Sequence, residues 1–320
     1  MKLLVLGFGS VGSAFLKILP ETFQTSICTS HGGIASASID ELKEAAESGT
    51  KISGLADFST MDPMEAVEDW DYDVLVDLSP TNVETAEPSS TYWKTAIERK
   101  KHVVTANKGP LAVQYAEMTG MAEDNQVSLL MEATVAGGTP VFNLARHCLN
   151  GPGLQRVEGI INGSTNYILT QMERGRDFDD VVIEARSKGY LEADPSADVD
   201  GKDALAKAVI LANALFGRNA RYKDYQPSGI RGVTLEKVNE ARGRGNCFKL
   251  IARVDAQELS VQLEQIPFTH SLARVTGAWN ALTFYTKNAD AITISGHGAG
   301  GLPTASAVLN DVLELYDHST

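Results

Sequence analysis

Short apolar runs alternate with segments of helical spacing over residues 1–139. Bounded apolar runs are typical of buried strands, and apolar residues three and four positions apart are typical of helices. Strands separated by helices predict parallel pairing, with helices on both faces of the sheet. The predicted strands are Lys2–Leu6, Thr25–Thr29, Asp73–Leu78, His102–Ala106 and Val127–Met131, and the predicted helices are Ser10–Leu19, Met64–Trp70 and Ser89–Lys100.

After about Pro140 the pattern changes, and helices precede a run of strands. This order predicts an α+β domain with helices on one face of a sheet. The fold class is therefore α/β, with a parallel-sheet domain followed by an α+β domain. The predicted helices are Val141–Leu149, Asn166–Arg174, Phe178–Ser187, Asp203–Phe216 and Thr304–Tyr316, and the predicted strands are Gln155–Ile161, Phe248–Asp255, Leu259–Ile266, Leu282–Thr286 and Ala291–Ser295.

Composition and charge exclude several classes of protein. The chain has 320 residues, of which 43% are hydrophobic, enough for two domains with cores. Its net charge of −13 argues against a nucleic-acid partner, because binding phosphates needs a positive surface. No apolar stretch is long enough to cross a bilayer, and the three widely spaced cysteines fit a reducing compartment. We therefore expect a soluble cytoplasmic protein without nucleic-acid or membrane partners.

A glycine-rich turn, Gly7-Phe8-Gly9-Ser10-Val11-Gly12, follows the first strand and opens the first helix. In a dinucleotide fingerprint the first glycine permits the turn, the second admits the pyrophosphate, and the third lets the helix pack on the strand. The helix N-terminus supplies N–H groups to the phosphates. The sequence therefore predicts a Rossmann dinucleotide-binding domain.

The choice between NAD and NADP stays open. A carboxylate that binds the ribose 2′-hydroxyl is expected at the end of the second strand. The segment Cys28–Gly33 contains neither a carboxylate nor an arginine. Ser30 and His31 offer donors to a 2′-phosphate, which favours NADP slightly.

Two predicted strands end in polar segments, Ser79–Asn82 and Ala106–Lys108. Open α/β sheets bind ligands at the carboxyl ends of their strands. A lysine at this edge can hydrogen-bond or protonate a carbonyl oxygen, so Lys108 is a candidate catalytic residue. A surface lysine is the alternative.

An acidic loop, Gly189–Asp203, leads into an apolar helix that carries Lys207. Asp203 precedes the apolar run as a helix N-cap would, and it shares one face with Lys207. The helix is otherwise almost wholly apolar, which predicts a buried pair. A lysine there can donate a proton, and carboxylates beside it can bind an ammonium group. An exposed ion pair is the alternative.

Two more segments suit the wall of a pocket. Asn162–Leu169 is a polar turn that opens a helix, although capping by Thr165 or Asn166 also explains it. The glycine-rich loop Ser295–Ala307 opens the last helix and can bring N–H donors to a nicotinamide ring. A lone histidine in such a loop, here His297, is more often not a catalytic base.

Together these segments resemble homoserine dehydrogenase over nearly the whole chain. Several segments in a fixed order are more specific than any single motif. The resemblance is carried by Gly7–Gly12, Ser79–Asn82, Val103–Lys108, Glu132–Pro140, Asn162–Leu169, Gly189–Lys207 and Gly298–Ser306.

The resemblance implies reversible NAD(P)H-dependent reduction of L-aspartate 4-semialdehyde to L-homoserine, a step of threonine and methionine biosynthesis. It implies Lys207 as proton donor, with Lys108 near the nicotinamide and the substrate. The implied substrate-binding residues are Glu192, chiefly for the α-ammonium group, with Asp198, Asp203, Thr165 and Tyr190. The implied cofactor-binding residues are Gly7, Phe8, Gly9, Ser10, Val11, Gly12, Ser79, Thr81, Ala106, Lys108, Gly189 and Gly298. Glu132, Val135, Gly137 and Thr139 match a loop that holds a monovalent cation such as sodium in some members.

The resemblance also implies the domain organisation. Residues 1–139 would bind the dinucleotide, with residues 298–320 packing back on them, and residues 140–297 would bind substrate. An exposed edge of the second-domain sheet favours a homodimer formed through residues 140–297. Only about twenty residues follow Gly300. This leaves no room for the regulatory domain of feedback-inhibited members, so inhibition by threonine is not expected.

Two other functions stay open from the sequence alone. One is another NAD(P)-dependent amino-acid or hydroxy-acid dehydrogenase built from the same two domains. The other is a sensor that binds NAD(P) without turnover. A requirement for the free α-amino group of the substrate would distinguish homoserine dehydrogenase from the other dehydrogenases. A change in NAD(P)H absorbance during the reaction would distinguish an enzyme from a sensor.

Overall fold

The computed structural model describes residues 1–319 of the chain, with side chains as far as residue 317. The chain divides into two compact units. Unit 1 comprises Met1–Gly138 and the C-terminal segment from Gly300, and unit 2 comprises Thr139–Ala299.

The strands are β1 (Lys2–Leu6), β2 (Gln24–Thr29), β3 (Gly32–Ala37), β4 (Val74–Asp77), β5 (His102–Thr105), β6 (Leu129–Leu130), β7 (Leu154–Ile160), β8 (Asn246–Asp255), β9 (Leu259–Pro267), β10 (Trp279–Thr286) and β11 (Ala291–His297). The α-helices are α1 (Ser10–Ile18), α2 (Ile39–Ser48), α3 (Pro63–Asp69), α4 (Ser89–Glu98), α5 (Gly109–Asp124), α6 (Val141–Cys148), α7 (Gly163–Glu173), α8 (Phe178–Ser187), α9 (Ser196–Val199), α10 (Lys202–Phe216), α11 (Leu235–Gly243) and α12 (Gly301–Ser319).

Unit 1 contains a six-stranded sheet in the order β3-β2-β1-β4-β5-β6, in which all pairs except β2–β3 are parallel. Side chains of β1, such as Leu3 and Val5, are fully buried against apolar residues of α1 and α12. Strand β2, which follows β1 in the chain, pairs with one side of β1, and the later strand β4 pairs with the other side. The carboxyl end of β1 is therefore the switch point at which such sheets bind ligands.

Unit 2 contains a five-stranded sheet in the order β11-β10-β7-β8-β9, with every pair antiparallel. Helices α7, α10 and α11 pack on β8. The predicted fold class, a Rossmann domain followed by an α+β domain, is confirmed.

The prediction that Asp203 caps helix α10 is wrong. The helix begins one residue earlier, at Lys202, and the capping position belongs to Gly201, whose φ is +79°. A Cβ atom at Gly201 would lie 2.5 Å from the carbonyl oxygen of Ser228. The backbone at Gly201 therefore approaches Ser228 so closely that only glycine fits there. With Gly201 as the cap, the first helical residue is Lys202. Asp203 lies in the first turn.

Candidate active site

The glycine turn after β1 has the geometry of a phosphate-binding loop. Gly7 has a φ of +107°, and a Cβ atom there would lie 2.7 Å from the carbonyl oxygen of Leu78. A Cβ atom at Gly12 would lie 2.3 Å from the carbonyl oxygen of Gly7, whereas one at Gly9 would meet nothing within 4 Å. Gly7 and Gly12 are thus required by packing, and the backbone at Gly9 is open to a ligand.

The first turn of α1 complements this opening. No side chain caps the helix at Gly9, and the neighbouring Ser10 is exposed. Phe8 and Val11 are half-buried and pack against the core. Uncapped N–H groups at a helix N-terminus attract phosphate. The turn after β2 is exposed at Ser30 and His31.

The loops that follow β4 and β5 meet at the carboxyl edge of the same sheet. The backbone N–H of Lys108 donates a hydrogen bond to Thr81 Oγ1 at 3.3 Å. Ala106 and Lys108 are half-buried, and Ser79 bonds to the buried Asp77. The structure thus brings together the predicted cofactor residues of these two loops.

In unit 2, Lys207 is 8% exposed on helix α10. Its Nζ lies 2.6 Å from Asp203 Oδ2 and donates to the carbonyl oxygen of Ile161 at 3.0 Å. Lys207 is buried as predicted and Asp203 is half-buried, so the exposed ion pair is excluded. An ammonium group has three N–H donors, and two of them have partners among the described residues.

Asn162 joins the other predicted substrate residues around this pair. Its Nδ2 donates to Asp198 Oδ1 at 2.5 Å and to Asp203 Oδ2 at 3.0 Å. Its Oδ1 accepts hydrogen bonds from the N–H and the hydroxyl of Thr165, both at 2.9 Å. Asn162, not Thr165 or Asn166, therefore caps α7. It was not among the predicted site residues, although it opens the polar turn seen in the sequence.

The other predicted residues of the acidic loop precede helix α9 in the chain. The carbonyl oxygen of Tyr190 accepts a hydrogen bond from the Ser164 hydroxyl at 2.6 Å, and the Tyr190 ring is 41% exposed. Gly189 has a φ of +74°, which glycine adopts without strain. Glu192 is exposed. The acidic loop thus contributes the half-buried Asp198 to the hydrogen-bonded cluster and leaves Glu192 exposed.

The predicted cation loop contains buried polar groups. Glu132 and Thr139 are buried, and Thr139 Oγ1 has no hydrogen-bond partner among the described residues. The loop turns sharply at Ala136 and Gly137, whose φ values are +59° and +56°. Among the side chains that the structure describes, those of residues 1–317, no three His, Cys, Asp or Glu residues cluster as metal ligands.

The glycine-rich loop before α12 is closely packed. A Cβ atom at Gly298 would lie 1.9 Å from Nδ2 of the buried Asn280, so only glycine fits. The His297 ring lies 4.8 Å from the ring of Trp279.

Over the described part of the chain, no helix combines the length and hydrophobicity needed to span a membrane.

Comparison with known proteins identifies the family. Residues 140–313 match the homoserine dehydrogenase family, and residues 7–132 match its NAD-binding domain. A homoserine dehydrogenase of Methanocaldococcus jannaschii is 37% identical over 99% of both chains. The chain belongs to the homoserine dehydrogenase family. An NAD(+)-dependent homoserine dehydrogenase of Pseudomonas canavaninivorans is 33% identical over 100% of this chain and 97% of its own.

A solved structure of this family agrees. A hyperthermophilic archaeal homoserine dehydrogenase in complex with NADPH superimposes with a TM-score of 0.84 at 32% identity, covering 98% of this chain and 96% of its own. The predicted activity, reversible NAD(P)-dependent interconversion of L-aspartate 4-semialdehyde and L-homoserine, is confirmed. The NAD(P) cofactor is confirmed with it. The two alternative functions are therefore set aside.

Proposed function

We propose that Lys207 is the proton donor in the homoserine dehydrogenase reaction of this protein. The observation that supports this role is its burial beside Asp203. Hydride transfer to the aldehyde carbon places negative charge on the aldehyde oxygen. A fixed ammonium group stabilises that charge and then supplies the proton. Asp203 and the Ile161 carbonyl hold the amine in place.

We propose that the carboxylates near Lys207 bind the substrate. Glu192 binds chiefly the α-ammonium group, and the exposed position of its side chain leaves its carboxylate accessible to a ligand. The residues proposed to assist are Asp198, Asp203, Thr165 and Tyr190. The hydrogen bonds from Asn162 to both aspartates support a common role for these carboxylates.

The proposed cofactor site lies along the carboxyl edge of the sheet in unit 1. Lys108 lies near the nicotinamide and the substrate. NADP is favoured slightly, because Ser30 and His31 are exposed at the end of β2. Residues 1–139 and 298–320 form the dinucleotide domain. The residues proposed to contact the cofactor are Gly7, Phe8, Gly9, Ser10, Val11, Gly12, Ser79, Thr81, Ala106, Lys108, Gly189 and Gly298.

The remaining proposals concern the cation, the assembly and the location. Glu132, Val135, Gly137 and Thr139 hold a monovalent cation, supported by the unpaired hydroxyl of Thr139. Residues 140–297 form the substrate-binding and dimerisation domain of a homodimer in the cytoplasm.

Replacement of Lys207 tests the proton-transfer role. We expect Lys207→Ala to lower kcat by about 10²- to 10⁴-fold, the usual contribution of a general acid. The measurement is NADPH oxidation in the presence of L-aspartate 4-semialdehyde at saturating concentrations. Lys108→Ala should also lose most turnover.

The matched control is Lys202→Ala, which removes an exposed lysine from the first turn of the same helix. It should retain the parent kcat. The proton-transfer assignment would be abandoned if Lys207→Ala were as active as Lys202→Ala.

A further inference from the structure

A buried polar network lies beneath the loop that follows β4. Asp77, the last residue of β4, is fully buried. Its Oδ1 accepts hydrogen bonds from the Ser79 N–H at 3.0 Å and the Ser79 hydroxyl at 2.5 Å, and its Oδ2 accepts one from Trp93 Nε1 at 2.8 Å. The Ser79 hydroxyl also lies 3.1 Å from that of Ser89. The start of this loop is therefore fixed to β4 and α4.

Asn107 connects this network to the loop that follows β5. The side chain is 1% exposed, and its Nδ2 lies 3.3 Å from Ser79 O, 3.1 Å from Pro80 O and 2.9 Å from Ser89 Oγ. Its Oδ1 accepts a hydrogen bond from the Gly109 N–H at 2.8 Å. One amide thus donates to the first loop and accepts from the second. The distance between the loops depends on it.

Lys108 lies between Asn107 and Gly109, at the point where the loop after β5 is hydrogen-bonded to the loop after β4. Asn107 and Gly109 are its chain neighbours, and its own N–H bonds to Thr81. A Cβ atom at Gly109 would lie 2.6 Å from the carbonyl oxygen of Asn82, so the two loops are packed without spare room. Displacement of either loop would therefore move the backbone of Lys108.

We propose that Asp77 and Asn107 are positioning residues for Lys108. This inference rests on the proposed role of Lys108. Both side chains are buried and bonded to protein groups, so we infer that they act on the reaction through the position of Lys108. Misplacement of a reacting group by about 1 Å costs about 100-fold in rate. The network is suited to prevent such a displacement.

A double-mutant cycle tests the proposal, with kcat measured for Asn107→Ala, Lys108→Ala and the double variant. We expect Asn107→Ala to lower kcat by about 10- to 100-fold. The double variant should be no slower than Lys108→Ala, because the positioned amine is already absent. A purely structural effect would instead multiply the losses.

The outcomes are distinguishable. A strong loss in Lys108→Ala with multiplicative losses in the double variant overturns the positioning role and leaves the role of Lys108 intact. Near-normal turnover of Lys108→Ala alone overturns both.

Two adjacent serines provide a second test that needs no change at Asn107. Ser89 and Ser90 are both buried at the start of α4, but only Ser89 bonds to the network, whereas Ser90 bonds to Gln114 Oε1 at 2.5 Å. We expect Ser89→Ala to lower kcat several-fold, roughly the effect of a sub-ångström shift. Ser90→Ala should lower the melting temperature to a similar extent and keep the parent kcat. Equal kcat values for the two variants would overturn the proposal.

Discussion

At the scale of single residues, the pairing of Lys207 with Asp203 is poorly explained by stability. Exposed pairs four residues apart on a helix contribute about 0.3–0.5 kcal/mol, and removing each ion from water costs several kcal/mol. Lys207 is 8% exposed, so much of that desolvation cost applies. The pair is better explained by the proposed role of Lys207, in which Asp203 holds the amine in the orientation needed for proton donation.

The cofactor preference also depends on single residues. We expect Ser30→Asp to raise the ratio of kcat/KM for NADH to that for NADPH by about tenfold or more, because a carboxylate binds the ribose 2′-hydroxyl and repels a 2′-phosphate. The measurement is aspartate semialdehyde reduction with each cofactor in turn. Thr22→Asp places the same charge in the exposed segment before β2, at the opposite end of the strand, and should leave the ratio unchanged. An unchanged ratio in Ser30→Asp would place the adenosine ribose elsewhere.

At the scale of elements, strongly apolar segments were predicted well and weakly patterned ones were missed. Strand β1 has the predicted bounds, whereas β3, α2 and α5 were not predicted. The β3 segment is rich in Gly, Ala and Ser, which have low strand propensity. It forms because β2 offers it an open edge, and a Cβ atom at Gly33 would lie 2.4 Å from the carbonyl oxygen of Ile27. Gly33 therefore permits a pairing that propensity does not favour.

A histidine joins two elements of unit 1 and makes their contact sensitive to pH. His102, at the start of β5, accepts a hydrogen bond at Nδ1 from the Ser128 N–H at 2.9 Å. Burial holds the pKa of His102 below its ordinary value of 6.5, although Asp73 opposes this shift. As the pH falls through 6.5, the unfolded chain takes up the proton before the folded one. The stability contributed by neutral His102 is therefore present above that pH and is lost below it.

We expect the free energy of unfolding to fall between about pH 7.5 and 5.5, around the ordinary histidine pKa, by more in the parent protein than in His102→Asn. Denaturant unfolding at the two pH values measures this difference. His147→Asn, which removes an exposed histidine, is the control and should show the parent pH dependence. Identical pH dependence in His102→Asn and the parent would show that His102 does not contribute.

At the scale of the whole molecule, unit 2 leaves β9 and β11 as the outer strands of its sheet. Unpaired strand edges and exposed apolar side chains favour association. Phe268, which immediately follows β9, is 46% exposed, and Trp279, on β10, is 43% exposed. These features support the proposed homodimer.

The molecular mass of the protein in solution tests the proposed homodimer. We expect light scattering after size-exclusion chromatography to give twice the 34.3 kDa mass of the chain. The melting temperature should also rise with protein concentration, because association stabilises the folded state by mass action. A single-chain mass together with a concentration-independent melting temperature would refute the dimer.

The sequence by itself determined the fold class, the glycine turn and the family, because these depend on local periodicity and on residue types at fixed spacing. It also indicated the buried lysine, since the helix around Lys207 is apolar. The tertiary structure alone decided the strand order, the start of α10 at Lys202 after the Gly201 cap, and the hydrogen bonds of Asn107 and Asn162. Each of these rests on contacts between residues distant in the chain, such as Gly201 with Ser228 or Asn162 with Asp198, and local periodicity carries no record of them.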